Sequence, residues 1–154
     1  MISRRSVLEM LAAGTIIAIT KPLSVQAATN PFISIERYSE NRNAPVLVDP
    51  VYATERNFMG RVLPGYEAEK AWTYPKIIDD LIQINAALKE YGFQLLVKDA
   101  YRPIQASEVM MRWGREQEAA GKGKHVGKWV AYINRAEGKY SGHNYGRTID
   151  ITLA

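Results

Sequence analysis

The residues best suited to chemistry lie in the last segment of the chain. It reads Ser141-Gly142-His143-Asn144-Tyr145-Gly146-Arg147-Thr148-Ile149-Asp150-Ile151-Thr152-Leu153. Period-two alternation puts Ile149, Ile151 and Leu153 on one face of a closing strand and Thr148, Asp150 and Thr152 on the other. The aliphatic set is expected to take the core side. Asp150 then stands on a polar face, where a carboxylate stays ionised without a large desolvation cost. His143 lies seven residues before Asp150. In a straight strand that separation is roughly 20 Å, whereas one metal ion needs both donor atoms at about 2 Å. The pair can share an ion only if the chain reverses between them. Asn144-Tyr145-Gly146 offers suitable turn residues, with Gly146 free to take a positive φ. Metal ligation is therefore geometrically open to His143 and Asp150, and a hydrogen-bonded surface pair is the plain alternative. Two protein ligands are also fewer than the three of a catalytic zinc site.

Other elements must hold this segment in place. Tyr74 to Tyr91 carries Ile77, Ile78, Leu81, Ile82, Ile84 and Leu88 at helical spacing, with Pro75 in the first turn and Gly92 just beyond the end. Phe93-Gln94-Leu95-Leu96-Val97 follows as a short, largely buried strand. Arg102 precedes Pro103 and should be extended, and Pro103 can open the next helix. That helix carries Val109, Met110 and Trp113 and ends before Gly121. Residues 121–128 read as a Gly/Lys loop, and Arg147 to Leu153 as a final strand. Helices and strands mix without a regular βαβ rhythm, which favours an α+β fold over a doubly wound sheet.

The chain has 154 residues, 47% hydrophobic and 23% charged, which suits one soluble domain with a real core. It has no cysteine. Disulfides, thiolate metal sites and cysteine nucleophiles are thereby excluded. Residues 1–27 read as an export signal: Arg4 and Arg5, an apolar run from Leu11 to Thr20, and small residues around Val25-Gln26-Ala27. Ser3-Arg4-Arg5-Ser6-Val7-Leu8 looks like a twin-arginine signal, which places the protein in the periplasm or cell envelope. The apolar run is about half the roughly 20 residues of a bilayer span, so no stable membrane span is expected. Removing 1–27 takes away Arg4, Arg5, Lys21 and Glu9 and lowers the net charge from +4 to +2. The remaining basic residues are scattered, which argues against a nucleic-acid partner.

Three ordered blocks carry a resemblance. Ser141-x-His143-x-x-Gly146-x-x-x-Asp150 matches the S-x-H-x-x-G-x-x-x-D signature of the D-alanyl-D-alanine dipeptidases, which include vancomycin-resistance enzymes. Asp99-Ala100-Tyr101-Arg102-Pro103 resembles their D-G/A-Y-R-P segment. Tyr52-Ala53-Thr54-Glu55-Arg56-Asn57-Phe58-x-Gly60 is similar to their Y-A-T-x-x-N-F-x-G. The resemblance implies a small mixed or antiparallel sheet with flanking helices over residues 28–154, of the hedgehog and D,D-peptidase type. It also implies Zn²⁺ as cofactor, with His143 and Asp150 as ligands. Arg102 would stabilise the oxyanion formed as water attacks the D,D-peptide carbonyl, a task suited to a permanently charged group with several directed donors. Ser141 and Tyr52 would help position the substrate, D-Ala-D-Ala or a related D-amino-acid dipeptide.

The family also carries a later E-x-x-H segment, whose glutamate is the general base and whose histidine is the third ligand. The sequence has no such segment after Asp150, so general base and third ligand have no counterpart and the domain reads as incomplete at its C-terminus. His125 is the only other histidine, and it precedes the signature. Glu108, Glu116 and Glu118 read as solvent-facing helix residues. Three readings follow: a shortened zinc dipeptidase of cell-wall metabolism or glycopeptide resistance, a non-catalytic module binding peptidoglycan peptides, or a decayed gene product.

Overall fold

The computed structural model describes residues 30–122, 130 and 132–154. The expected export segment and His125 lie outside them. The described chain is α+β. A two-residue strand β1 (Ile33–Ser34) leads into helix α1 (Ile35–Glu40), whose first turn is capped by the Ser34 hydroxyl. Strand β2 (Leu47–Val48), a short 3₁₀ turn at Val51–Ala53, and strand β3 (Trp72–Thr73) follow. Helix α2 (Pro75–Lys89), strand β4 (Leu95–Asp99) and helix α3 (Ile104–Ala119) form the middle of the domain. Two further 3₁₀ turns, Arg135–Glu137 and Gly142–Tyr145, precede strand β5 (Asp150–Leu153).

Strands β1 and β3 pair antiparallel, and a separate mixed sheet has the order β2-β4-β5, with β2 parallel and β5 antiparallel to β4. Helix α2 begins with Pro75 in the first turn, where its missing N–H costs nothing, and buries Ile78 and Leu81. These meet Ile35, Val46, Ala71, Leu95, Val97 and Ala100 in the main core. Leu63, Ala106 and Met110 form a second cluster beneath α3.

Three expectations need correction. Ile84 falls at the apolar spacing of α2, but it is half exposed, and Asn85 is the buried neighbour. The Asn85 amide donates to Pro45 O (3.1 Å), and its oxygen accepts from Leu95 N (2.8 Å), so a polar side chain ties α2 to the start of β4. The strand expected over 93–97 is shifted toward Asp99: Phe93 is exposed, while Gln94 exchanges backbone hydrogen bonds with Ala154. The closing strand begins at Asp150 rather than Arg147, because Arg147 N still reaches back to Gly142 O within the preceding turn.

The face of β5 also differs in part. Ile151 and Leu153 stand opposite Val97 and Leu95 and so share their core-facing side, yet each is 51% exposed. In its sheet β5 pairs with β4 alone, and an edge strand is covered on fewer sides than a central one.

Removing the Asn85 amide leaves the Leu95 N–H without its partner in a buried place. Asn85→Ala should therefore lower unfolding stability by about 1–3 kcal/mol. Urea denaturation followed by circular dichroism measures this, and an unchanged midpoint would contradict the role given to Asn85.

Candidate metal centre

The site is built where β4 ends and β5 begins. The pairing runs Val97 with Ile151 and then Asp99 with Asp150, so Lys98 is an extra residue on β4, a β-bulge. Without it, Asp150 would face Lys98 on the opposite side of the sheet. The bulge sets two aspartates across from one another, an arrangement that like charges disfavour.

Arg102 makes it tenable. Its Nε and Nη2 both donate to Asp99 Oδ2, at 2.8 and 2.7 Å, and Nη2 also reaches Asp150 Oδ2 at 3.2 Å. Asp99 and Arg102 are both buried. Burial raises the Asp99 carboxyl above the ordinary carboxylate value, against the opposing pull of Arg102 and His143. Burial works against the Arg102 charge, but Asp99 together with Tyr66 and Tyr52 more than offsets it, and the guanidinium pKa is raised. The Tyr66 hydroxyl donates to Asp99 Oδ1 at 2.8 Å, and the Tyr52 ring lies 5.0 Å from the guanidinium carbon.

His143 arrives from the other segment. Ser141 caps the 3₁₀ turn, its hydroxyl accepting from Asn144 N and donating to Asn144 Oδ1. Gly146 ends the turn at φ 63°, the reversal that His143 and Asp150 require. Asn144 Nδ2 donates to Arg102 O (2.8 Å) and to Ser107 Oγ (2.9 Å), while Arg102 N donates to His143 O (3.0 Å). Two distant stretches of chain are thus stitched together through both backbones.

His143 Nδ1 lies 2.9 Å from Ala100 O. A carbonyl only accepts, so Nδ1 carries the proton, and in the neutral ring Nε2 presents a lone pair. Nε2 is 3.4 Å from Asp150 Oδ1. Two ligands on a tetrahedral zinc with bonds of about 2 Å lie about 3.3 Å apart, so the pair fits one ion. The carbonyl behind Nδ1 supplies the orienting contact that a metal-binding histidine uses. When Nε2 carries a proton as well, its contact and charge, followed by the Arg102 charge, hold the Asp150 carboxyl below its ordinary value despite partial burial.

Asp99 also brings an oxygen close, since donor atoms of Asp99, His143 and Asp150 lie within 4.8 Å of one another. Its nearest approach is to Nδ1, at 3.5 Å, on the ring edge already turned to Ala100 O. Both Asp99 oxygens are committed, one to Tyr66 and one to Arg102. Asp99 therefore organises Arg102 instead of adding a donor to the His143–Asp150 pair.

Of the residues singled out in the sequence, Arg102, His143, Asp150 and Tyr52 come together, and the Ser141 hydroxyl is engaged in the turn. Tyr66 is new to the site, Asp99 had no role beyond its sequence block, and Asn144 had none beyond the turn. The Asp99-x-x-Arg102 spacing at a strand end was a usable signal for Asp99, and nothing local marked Tyr66.

A mixed α+β domain thus gathers a histidine, two aspartates and an arginine at one end of its sheet. Residues 43–154 match the D-ala-D-ala dipeptidase family, and the chain belongs to it. It is 32% identical over 112 residues to a D-alanyl-D-alanine dipeptidase of Streptomyces coelicolor, and 35% identical over 114 residues to one of Enterococcus faecalis. A third, from Enterococcus faecium, is 30% identical over 114 residues. Each match covers 68% of this chain and 54% of the relative, so the chain spans about half the length of these proteins.

The turn makes a direct test. A Cβ on Gly146 would lie 2.6 Å from the Phe32 ring, and its φ is left-handed. Gly146→Ala should cost about 1–3 kcal/mol of stability. A thermal melt matching the parent protein would show that the reversal tolerates a side chain.

Proposed function

We propose that this chain carries the metal-binding and oxyanion-binding part of a zinc-dependent D-alanyl-D-alanine dipeptidase. The observation that carries the reading is the convergence of His143 Nε2 and Asp150 Oδ1 to 3.4 Å beside Arg102. In this reading the domain acts on D-Ala-D-Ala or a related D-amino-acid dipeptide in the cell envelope, in cell-wall metabolism or glycopeptide resistance. Residues 1–27 serve as its export signal.

His143 and Asp150 would hold the ion. Zinc in such a site supplies Lewis-acid polarisation and promotes deprotonation of the attacking water. A catalytic zinc site uses three protein ligands, so the pair calls for one further donor. The chain's own contribution to the reaction is then charge and position. Arg102 Nε and Nη2 hold the aspartates, and the remaining guanidinium N–H groups are the donors this reading assigns to a developing negative charge. The other guanidinium nitrogens are fixed on Asp99, so little reorganisation is needed as that charge forms. Tyr52 packs along the guanidinium and narrows the approach to it. Burial raises its hydroxyl pKa, so it stays neutral and can donate to a substrate carboxylate.

Two measurements test this. Zinc retained after dialysis should be weak in the chain itself and lost in His143→Ala. Binding that survives the substitution would put the ion elsewhere. Joined to the C-terminal part of the Streptomyces coelicolor relative, the chain should gain firm zinc binding and hydrolyse D-Ala-D-Ala. Arg102→Ala in that protein should lower kcat by about 10²–10³-fold with zinc content unchanged. A zinc-loaded, well-folded fusion that binds the dipeptide without cleaving it would favour a binding module.

A further inference from the structure

Tyr66 lies outside the proposed metal and oxyanion site, yet its hydroxyl is aimed at the buried carboxylate that grips Arg102. The Tyr66 ring packs in the second core cluster with Leu63, Ala106 and Met110, which fixes the direction of its O–H. That hydroxyl donates to Asp99 Oδ1 at 2.8 Å, and Asp99 Oδ2 takes both Arg102 contacts. One carboxylate oxygen is thus assigned to each partner. Burial first, and then the Asp99 charge, push the Tyr66 phenol far above its ordinary value, so it remains a donor. The preceding residue braces the other flank of Arg102. Gly65, at φ +87°, lies so near Pro103 that a Cβ there would stand 2.6 Å from Pro103 Cβ. The Gly65-Tyr66 turn therefore touches the residue that follows Arg102 and the carboxylate that holds it.

We propose that Tyr66, acting through Asp99, is a positioning residue that keeps the Arg102 guanidinium turned toward the site. The proposal deepens the dipeptidase reading, since the orientation matters only if Arg102 receives substrate charge. Without the Tyr66 hydroxyl, Asp99 Oδ1 loses its partner, and the carboxylate is free to rotate and share both oxygens with Arg102. The guanidinium then has more than one way to pair, and its longer contact to Asp150 Oδ2 competes with the shorter ones to Asp99.

Hydrogen exchange of the Arg102 Nε–H, followed by ¹⁵N NMR on the full 154-residue chain, tests this without any turnover. Tyr66→Phe keeps the ring in its cluster and removes only the hydroxyl. It should speed Arg102 Nε–H exchange about tenfold, the scale of losing one hydrogen bond to a charged group. Asp99→Asn should speed it at least as much, and serves if Tyr66→Phe folds poorly. Asn85→Ala destabilises the domain away from Arg102 and should leave this exchange rate at the parent value. An unchanged rate in Tyr66→Phe, or an equal rise in Asn85→Ala, would overturn the positioning role. Neither result depends on whether the chain cleaves D-Ala-D-Ala, so the positioning role and the dipeptidase reading fail separately.

Discussion

One guanidinium between two carboxylates governs this domain. Asp99 and Asp150 stand opposite each other on paired strands, and Arg102 Nη2 reaches an oxygen of each. Remove the positive charge, and the bulged register would leave a buried carboxylate and a half-buried one repelling across the ladder. A buried ion pair is weak evidence for stability in itself, but breaking one leaves an uncompensated charge, which is strongly unfavourable. Arg102 therefore enforces a register as well as presenting a cation. The backbone ties from Arg102 to His143 and Asn144 extend the same constraint to the turn that carries the histidine.

The site separates rigid parts from adjustable ones. Asp99 is buried with both oxygens engaged and Arg102 is buried against it, whereas Asp150 is only partly buried and turns one oxygen to Arg102 and the other to His143. A carboxylate divided between a fixed cation and an imidazole nitrogen can turn toward an ion without unfolding anything. The imidazole has less freedom, because Ala100 O fixes its other nitrogen. The protein thus holds the histidine and the arginine, and leaves the aspartate the adjustable donor.

Much of this was legible in the sequence because it depends on local rules. The apolar spacing and Pro75 announced α2, and Gly146 announced the reversal that lets residues 143 and 150 meet. What could not be read depends on contacts between distant segments. Alternation placed Asp150 on the face away from Ile151, but one extra residue at Lys98 sets Asp99 opposite it, and a bulge in the partner strand leaves no mark in this strand's pattern. Asn85 broke an otherwise apolar stripe, since its buried amide serves two backbone groups that the helix pattern does not reveal. Tyr66 reaches Asp99 across 33 residues of sequence, and no spacing rule reports such a contact.

The stitching of the two strand ends also bears on how this site tolerates insertions. Arg102 and Asp150 are 48 residues apart in sequence, and the contacts that join them lie at the two ends of that interval. Closing a longer connection costs little, about 0.6 kcal/mol for each doubling of a flexible loop. Length can therefore change between α3 and the turn at Gly142 without shifting either anchored end. By contrast, one residue gained or lost between Val97 and Arg102 would reset the bulge and turn the aspartates onto different faces. The same site is thus permissive along some twenty residues and intolerant along about five.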